Sequence, residues 1–488
     1  MISEILLGAL VASVFLAAAR WLGVVPSLKA WGKSASGFIY LAGHPTLDDD
    51  EKYGRIFGAY RQVAWRFLVL TARCIALVAA TAGAFVGGGA LACRLRGESV
   101  TAESLGALAL DWPLLLGTLA PVAVLLALPK PPPNAGGSGS TGDYSAFDEA
   151  LHYLFLGHNG LAKSQFAVEC WVHKSKLEEA APERNVYVAG LARSGSTSLM
   201  QYLGRAPGFK SLSYANLPLV MMPRTGPRLL RSGDGAAKER SHKDGVKHSL
   251  SSYEALEEPF WLHYAGRDYV LSDRLTRHEV DARLHAKYAR FRALVAGPDT
   301  YLAKNNNFLL RAESVCRRDE ESGYRTRTII PFRRPLPQAR SLLEQHRNLS
   351  ELQNANPFAL DYMDFLVHHE FGLHAKPQLL CGSLDKPIPD SPRGDVDHWL
   401  AVWNLFYAEA LDRFADRPGY CFFSYDAYVR DPRGSLLSLA PFLELDSAVF
   451  EAMETRPWRP TSSVGDTPVS PDSAHLYERL TAKAINHA

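Results

Sequence analysis

The chain has 488 residues, 21% of them charged, and a formal net charge of +2. Charge this evenly balanced gives no electrostatic case for nucleic acid as a partner. Six scattered cysteines (Cys74, Cys93, Cys170, Cys316, Cys381 and Cys421) form no C-x-x-C pair, which argues against zinc-finger spacing and for reduced thiols.

The first 129 residues read as a membrane region with two or three transmembrane helices. Residues 2–19 are apolar apart from Glu4 and serines, and the run extends past Arg20 to Val25. Residues 74–92 carry no charge. At 1.5 Å rise per residue such a run reaches about 28 Å, close to one hydrocarbon core. Residues 112–128 hold Pro113 and Pro121, so this third run either crosses or lies re-entrant or interfacial. With no basic leading region and no small-x-small cleavage site, the first run reads as an uncleaved anchor. Lys29, Lys33, Lys52, Arg55 and Arg61 lie between the first two runs, against Arg94 and Arg96 between the second and third. That bias puts the first loop in the cytoplasm. With three crossings, it puts everything after Lys130 there too. Residues 130–143 (KPPPNAGGSGSTGD) are a Pro/Gly/Ser linker, and 144–488 have the composition of a globular domain.

Within that domain strands alternate with helices. Residues 185–189 (NVYVA) form a strand, followed by a glycine loop and a helix over 197–203. Residues 327–332 are a second strand, running through Pro335 into a helix as far as His346. An amphipathic helix spans 399–414, a third strand 419–425 and a further helix 433–442. This alternation predicts an α/β domain with a parallel sheet.

The loop GLARSGSTS, residues 190–198, keeps the glycine spacing of a P-loop but has Ser196 where the lysine belongs. A strand that ends in glycines and feeds a helix aims backbone N–H groups and the helix dipole at one point, which favours an anion. Ser194, Ser196, Thr197 and Ser198 add hydroxyls, and Arg193 adds a planar charge able to grip two oxygens. Without the lysine the loop suits a less charged ligand than a Mg²⁺-bound triphosphate. The alternative is an ordinary strand-to-helix turn. In residues 331–346 a second strand ends in Arg333, with Ser341 eight residues on. These two either grip another phosphate or belong to a basic surface turn.

Together the two stretches resemble the nucleotide site of sulfotransferases that use 3′-phosphoadenosine 5′-phosphosulfate (PAPS). Arg193-Ser194-Gly195-Ser196-Thr197 is similar to the family's loop for the 5′-phosphosulfate. Arg333, Pro335 and Ser341 match its R-x-P-x(5)-S clamp on the 3′-phosphate. Residues 422–445, with Asp426 and Tyr428, look like its closing strand and helix. The resemblance implies a P-loop-like parallel sheet flanked by helices, with PAPS as sulfuryl donor and no metal. The acceptor it implies is a hydroxyl or amine, and the membrane region makes that a lipid or glycan at the bilayer.

Transfer needs a group for the leaving phosphate, for which Arg193 is the first candidate, and the resemblance offers Lys304 as a second. The family's lysine is followed by an x-P pair, whereas Asn305-Asn306-Asn307 follow here. For the base, His242, Asp244 and Glu258 lie between the phosphate motifs. Each is otherwise a solvated charge. Some relatives carry a base glutamate after the loop's helix, where this chain has Tyr214 and Asn216. His368, His369, Glu370 and His374 offer a helical i, i+4 pair, Glu370 with His374, but not the H-E-x-x-H order of a zinc site. A P-loop kinase or NTPase and a non-catalytic nucleotide-binding scaffold stay open as alternatives.

Overall fold

The computed structural model describes residues 22–24, 26, 27, 30, 65–77, 79, 146–179, 183–229, 253, 255–382, 387–453 and 469–487, together with the backbone of 238–239 and 247–248. At 146–148, 150, 179 and 229 the description is also of the backbone alone. The chain divides into two compact units, residues 1–140 with 144–150, and 141–143 with 151–488.

In the first unit a helix covers 65–77. Arg66 donates to the Ala30 carbonyl at 2.7 Å and Arg73 to that of Gly23 at 3.0 Å. Among the described residues no helix is long and apolar enough to cross a membrane. The apolar run at 112–128, that at 2–25 except for 22–24, that at 74–92 except for 74–77 and 79, and the linker at 130–143 lie outside the described residues.

The second unit is built on five parallel strands: β1 (Arg184–Val188), β2 (Phe209–Lys210), β3 (Thr300–Lys304), β4 (Arg325–Phe332) and β5 (Tyr420–Ser424). Their order is β2-β3-β1-β4-β5. Because side chains alternate along a strand, each strand feeds two cores. Tyr187, Tyr301, Ile330 and Phe332 pack on one face with Trp403 and Phe406. Val186, Val188, Leu302, Ile329 and Phe423 pack on the other with Leu199 and Met200. Burying each of these aliphatic or aromatic side chains contributes about 1.5–3 kcal/mol, which is why the strands read as apolar runs rather than alternating ones.

Helices cover both faces: α1 (Ser196–Leu203), α2 (Glu258–Tyr264), α3 (Ala282–Ala296), α4 (Ala312–Glu321), α5 (Pro335–Ala355), α6 (Pro357–Phe365), α7 (Val396–Phe414) and α8 (Pro471–Ala482). The helix expected over 335–346 runs on to Ala355, because no glycine or proline interrupts it before Pro357. There Asn356 accepts from Phe358 N at 3.0 Å and starts the next helix. The helix expected over 433–442 is two, Pro432–Leu437 and Leu439–Leu443. Pro441 has no N–H to give the Leu437 carbonyl, so the helix cannot run through.

From β1 the chain moves to β2 and β3 on one side, then to β4 and β5 on the other. The loops leaving β1 and β4 therefore part at a topological switch point, where open α/β sheets bind ligands at the carboxyl ends of their strands. At the outer side of β5 the C-terminal residues lie alongside. Ala484 bridges to Phe422 in parallel, and Ile485 N donates to the Phe422 carbonyl at 2.9 Å. The Asn486 amide meets Ser424 N and O, both at 2.8 Å.

Candidate functional site

The loop after β1 is shaped by close approach. A Cβ added to Gly190 would lie 2.7 Å from the Pro331 carbonyl oxygen of β4. Arg193 adopts φ 67° and Gly195 φ 88°, both left-handed, and Gly195 caps α1. A Cβ on Gly195 would sit 2.2 Å from the Tyr425 ring, whereas one on Gly208, also left-handed at φ 81°, would meet nothing within 4 Å. Gly195→Ala is therefore expected to destabilise by about 2–3 kcal/mol and Gly208→Ala by about 1 kcal/mol. Denaturant midpoints read the difference, and equal losses would remove the tyrosine contact from the account.

A buried bracket holds the same loop from below. Gln338 Nε2 donates to the Ala192 carbonyl at 2.9 Å, while its Oε1 accepts from Trp403 Nε1 at 3.0 Å. Tyr407 OH donates to the Pro331 carbonyl at 2.9 Å. With the loop carbonyl drawn toward α5, the trans peptide aims the Arg193 N–H the other way. The first-turn N–H groups of α1 add donors with no partner inside the helix. Arg193, Gly195 and Thr197 are partly exposed, whereas Ser194, Ser196 and Ser198 are buried. Of the four hydroxyls expected to face an anion, Thr197 alone reaches the surface.

The second stretch comes to the first. Arg193 Nε donates to Ser341 Oγ at 2.9 Å, joining residues 148 apart in sequence. Arg333 stacks over the Tyr425 ring, 5.4 Å from its centroid. Burial, then the Arg193 and Arg334 cations, pull the Arg333 pKa below its ordinary value against Tyr425 and Asp426. Two partly buried guanidiniums held close together are a place an anion would relieve. Arg334 is turned aside, donating from N to Asp426 Oδ2 at 2.8 Å and from Nε to Oδ1 at 3.2 Å.

Lys304 closes β3 beside Val188 and is 9% exposed. The three asparagines after it are buried, each tied to a different wall. Asn305 donates to Glu258 Oε1 at 2.8 Å, Asn306 to Glu370 Oε1 at 2.6 Å and Asn307 to the Val367 carbonyl at 2.9 Å. Together they fix the turn where the resembled family has a proline.

The base candidates fare differently. Glu258 is not the solvated or acceptor-facing acid expected. It is 4% exposed, and it accepts from Arg311 and Asn305 at 2.8 Å on Oε1 and from Tyr269 at 2.8 Å on Oε2. With both oxygens taken inside the fold it serves Arg311, whose guanidinium also lies 4.6 Å from the Trp261 ring centroid. His242 and Asp244 lie outside the described residues. Asn216 is structural as well, accepting from Ser213 N at 2.9 Å and donating to the Pro223 carbonyl at 3.0 Å.

The histidines after α6 are not on a helix: 366–377 form a loop that turns at Val367 and Gly372, both with positive φ. There His374 meets Asp364 at 2.9 Å, and His368 Nδ1 stands 3.3 Å from Glu370 Oε1. Glu370 also lines a cavity beside Leu191. Neither this pair nor Gln338 stands out from the motifs alone. Gln338 does share a helix face with Ser341, three residues on.

No protein-family model matches the chain, and no curated protein matches it. Among solved structures it is similar to sulfotransferase STF1 from Mycobacterium tuberculosis H37Rv, at 13% identity over 70% of this chain and 88% of that one, with a TM-score of 0.36. It is also similar to a sulfotransferase from Alicyclobacillus acidocaldarius, at 16% identity over 62% of this chain and 91% of that one, with a TM-score of 0.27. Similarity this slight leaves the function to be argued from the geometry of the site.

Proposed function

We propose that this protein is a sulfotransferase that takes a sulfuryl group from PAPS and passes it to an acceptor at a membrane. The observation that supports this reading is the Arg193–Ser341 contact at 2.9 Å. It brings the loop after β1 and the start of α5 to one place, at the switch point of a parallel sheet. In this reading the loop amides and Arg193 hold the 5′-phosphosulfate, and Arg333 and Ser341 the 3′-phosphate. Lys304 lies at the next strand end, where it would meet charge gathering on the leaving oxygen. Ser196, which replaces the P-loop lysine, is buried, and this counts against a Mg²⁺-dependent triphosphate enzyme.

Calorimetric titration of the full chain with adenosine 3′,5′-bisphosphate tests the reading. Binding is expected without Mg²⁺, and Arg333→Ala is expected to weaken it roughly 10- to 100-fold through the lost charged hydrogen bonds. Binding of ATP that requires Mg²⁺, or an Arg333→Ala protein with unchanged affinity, would overturn it. The apolar runs at 2–19, 74–92 and 112–128 belong to the same proposal, as an anchor that leaves the catalytic domain in the cytoplasm and near lipid or glycan acceptors. Protein that leaves the membrane pellet in alkaline carbonate would refute the anchor.

A further inference from the structure

A cavity opens beside the loop after β1. Leu191, Trp399 and Phe406 form apolar walls, and Glu370, Lys376 and Arg393 supply the charged lining.

Glu370 is the unusual member. Its side chain is 4% exposed, and both of its neighbours engage the same oxygen: Asn306 donates to Oε1 at 2.6 Å and His368 Nδ1 lies 3.3 Å from it. Oε2 is buried with no hydrogen-bond partner. Burial pushes this carboxyl up, but His368, Asn306 and Lys304 outweigh it and hold it at about 2. An ionised oxygen buried without a donor is costly, so the site is built for a donor that arrives with a ligand. Leu191, in the loop after β1, and Asn306, two residues after Lys304, tie the cavity to the strand ends where the phosphosulfate is placed above.

We infer that this cavity receives the acceptor and that the acceptor's hydroxyl donates to Glu370 Oε2. The inference rests on the sulfuryl-transfer reading. In the lining Lys376 and Arg393 outnumber the one carboxylate, so an ammonium is disfavoured and a neutral hydroxyl on an apolar body is favoured. As the acceptor oxygen bonds to sulfur, the sulfur–oxygen bond to the phosphate breaks and its electron pair leaves on the phosphate oxygen. The acceptor's proton passes to Glu370 Oε2. Glu370 is then a catalytic residue that lies after the second phosphate motif.

Three probes that share a ring test this on the full chain loaded with adenosine 3′,5′-bisphosphate: benzyl alcohol, toluene and benzylamine. Benzyl alcohol is expected to bind at least fivefold tighter than toluene, with benzylamine weakest. Glu370→Gln, which keeps the oxygen that Asn306 donates to, should remove most of the alcohol's advantage. With ³⁵S-labelled PAPS the variant should sulfate benzyl alcohol about 100-fold more slowly than the wild type, with bisphosphate affinity within twofold. Equal binding of the three probes, tightest binding by benzylamine, or no probe binding to a protein that holds the bisphosphate would each overturn the inference. So would a variant of wild-type rate, or a wild type that binds the alcohol but never sulfates it. A wild type that fails to bind the bisphosphate would instead refute the sulfotransferase reading itself. The wild-type comparison needs no variant to fold.

Discussion

Arg193→Ala is expected to lower the rate of sulfuryl transfer by roughly 10²–10³-fold, the loss that follows removal of one preorganised charge-stabilising donor. The side chain spans both motifs through its bond to Ser341 Oγ, so its loss also frees Ser341. Two further variants separate chemistry from backbone. Arg193 carries φ 67°, a conformation that glycine adopts without strain. Arg193→Gly should therefore melt at or slightly above the wild-type temperature while losing as much activity as the alanine variant. Arg193→Lys should recover only part of the rate, because a single ammonium cannot reproduce the fork that reaches Ser341 and a second oxygen together. Initial rates with ³⁵S-labelled PAPS decide the matter. An alanine variant within threefold of wild type would remove Arg193 from the mechanism.

Glu258→Ala is expected to cost about 3–5 kcal/mol of stability, because it strands a fully buried guanidinium. Arg311 is 1% exposed and raised above its ordinary pKa: burial opposes its charge, and Glu258 more than restores it. The change should lower Tm by roughly 5–15 °C. Replacing both partners, Glu258→Leu with Arg311→Met, should recover most of that loss, since neither member of the pair is then left as an unmatched charge. A general base would behave in the opposite way, losing rate with its Tm intact. Thermal melts beside initial rates on Glu258→Ala separate the two roles. A Tm within 2 °C of wild type would contradict the buried pair.

The sheet was legible where apolar runs end in turn residues. The strands expected over 185–189, 327–332 and 419–425 appear as β1, β4 and β5 within two residues at either end. β2 has only two residues, too few to carry a pattern. That the two stretches share one edge of the sheet was legible as well, because each follows a strand and parallel strands gather their ends there, whereas the direct contact of Arg193 with Ser341 was not. Glu370 and His368 were not. They sit on an irregular loop with no periodicity, brought beside Lys304 by asparagine and glutamine contacts that leave no spacing signal. Glu258 misled for a related reason. An acid between two motifs reads as exposed until its partner is known, and Arg311 lies 53 residues further on.

The last turns of the chain act as a seam along β5. Ala484, Ile485 and Asn486 occupy polar groups on that strand's outer rim that would otherwise be open to another molecule. A rim left bare is a template for strand addition from a second copy. The seam therefore guards solubility as well as fold: a protein trimmed before residue 484 is expected to keep the edge that carries the loops after β1 and β4 yet gain a sticky flank, with its copies set to join rim to rim.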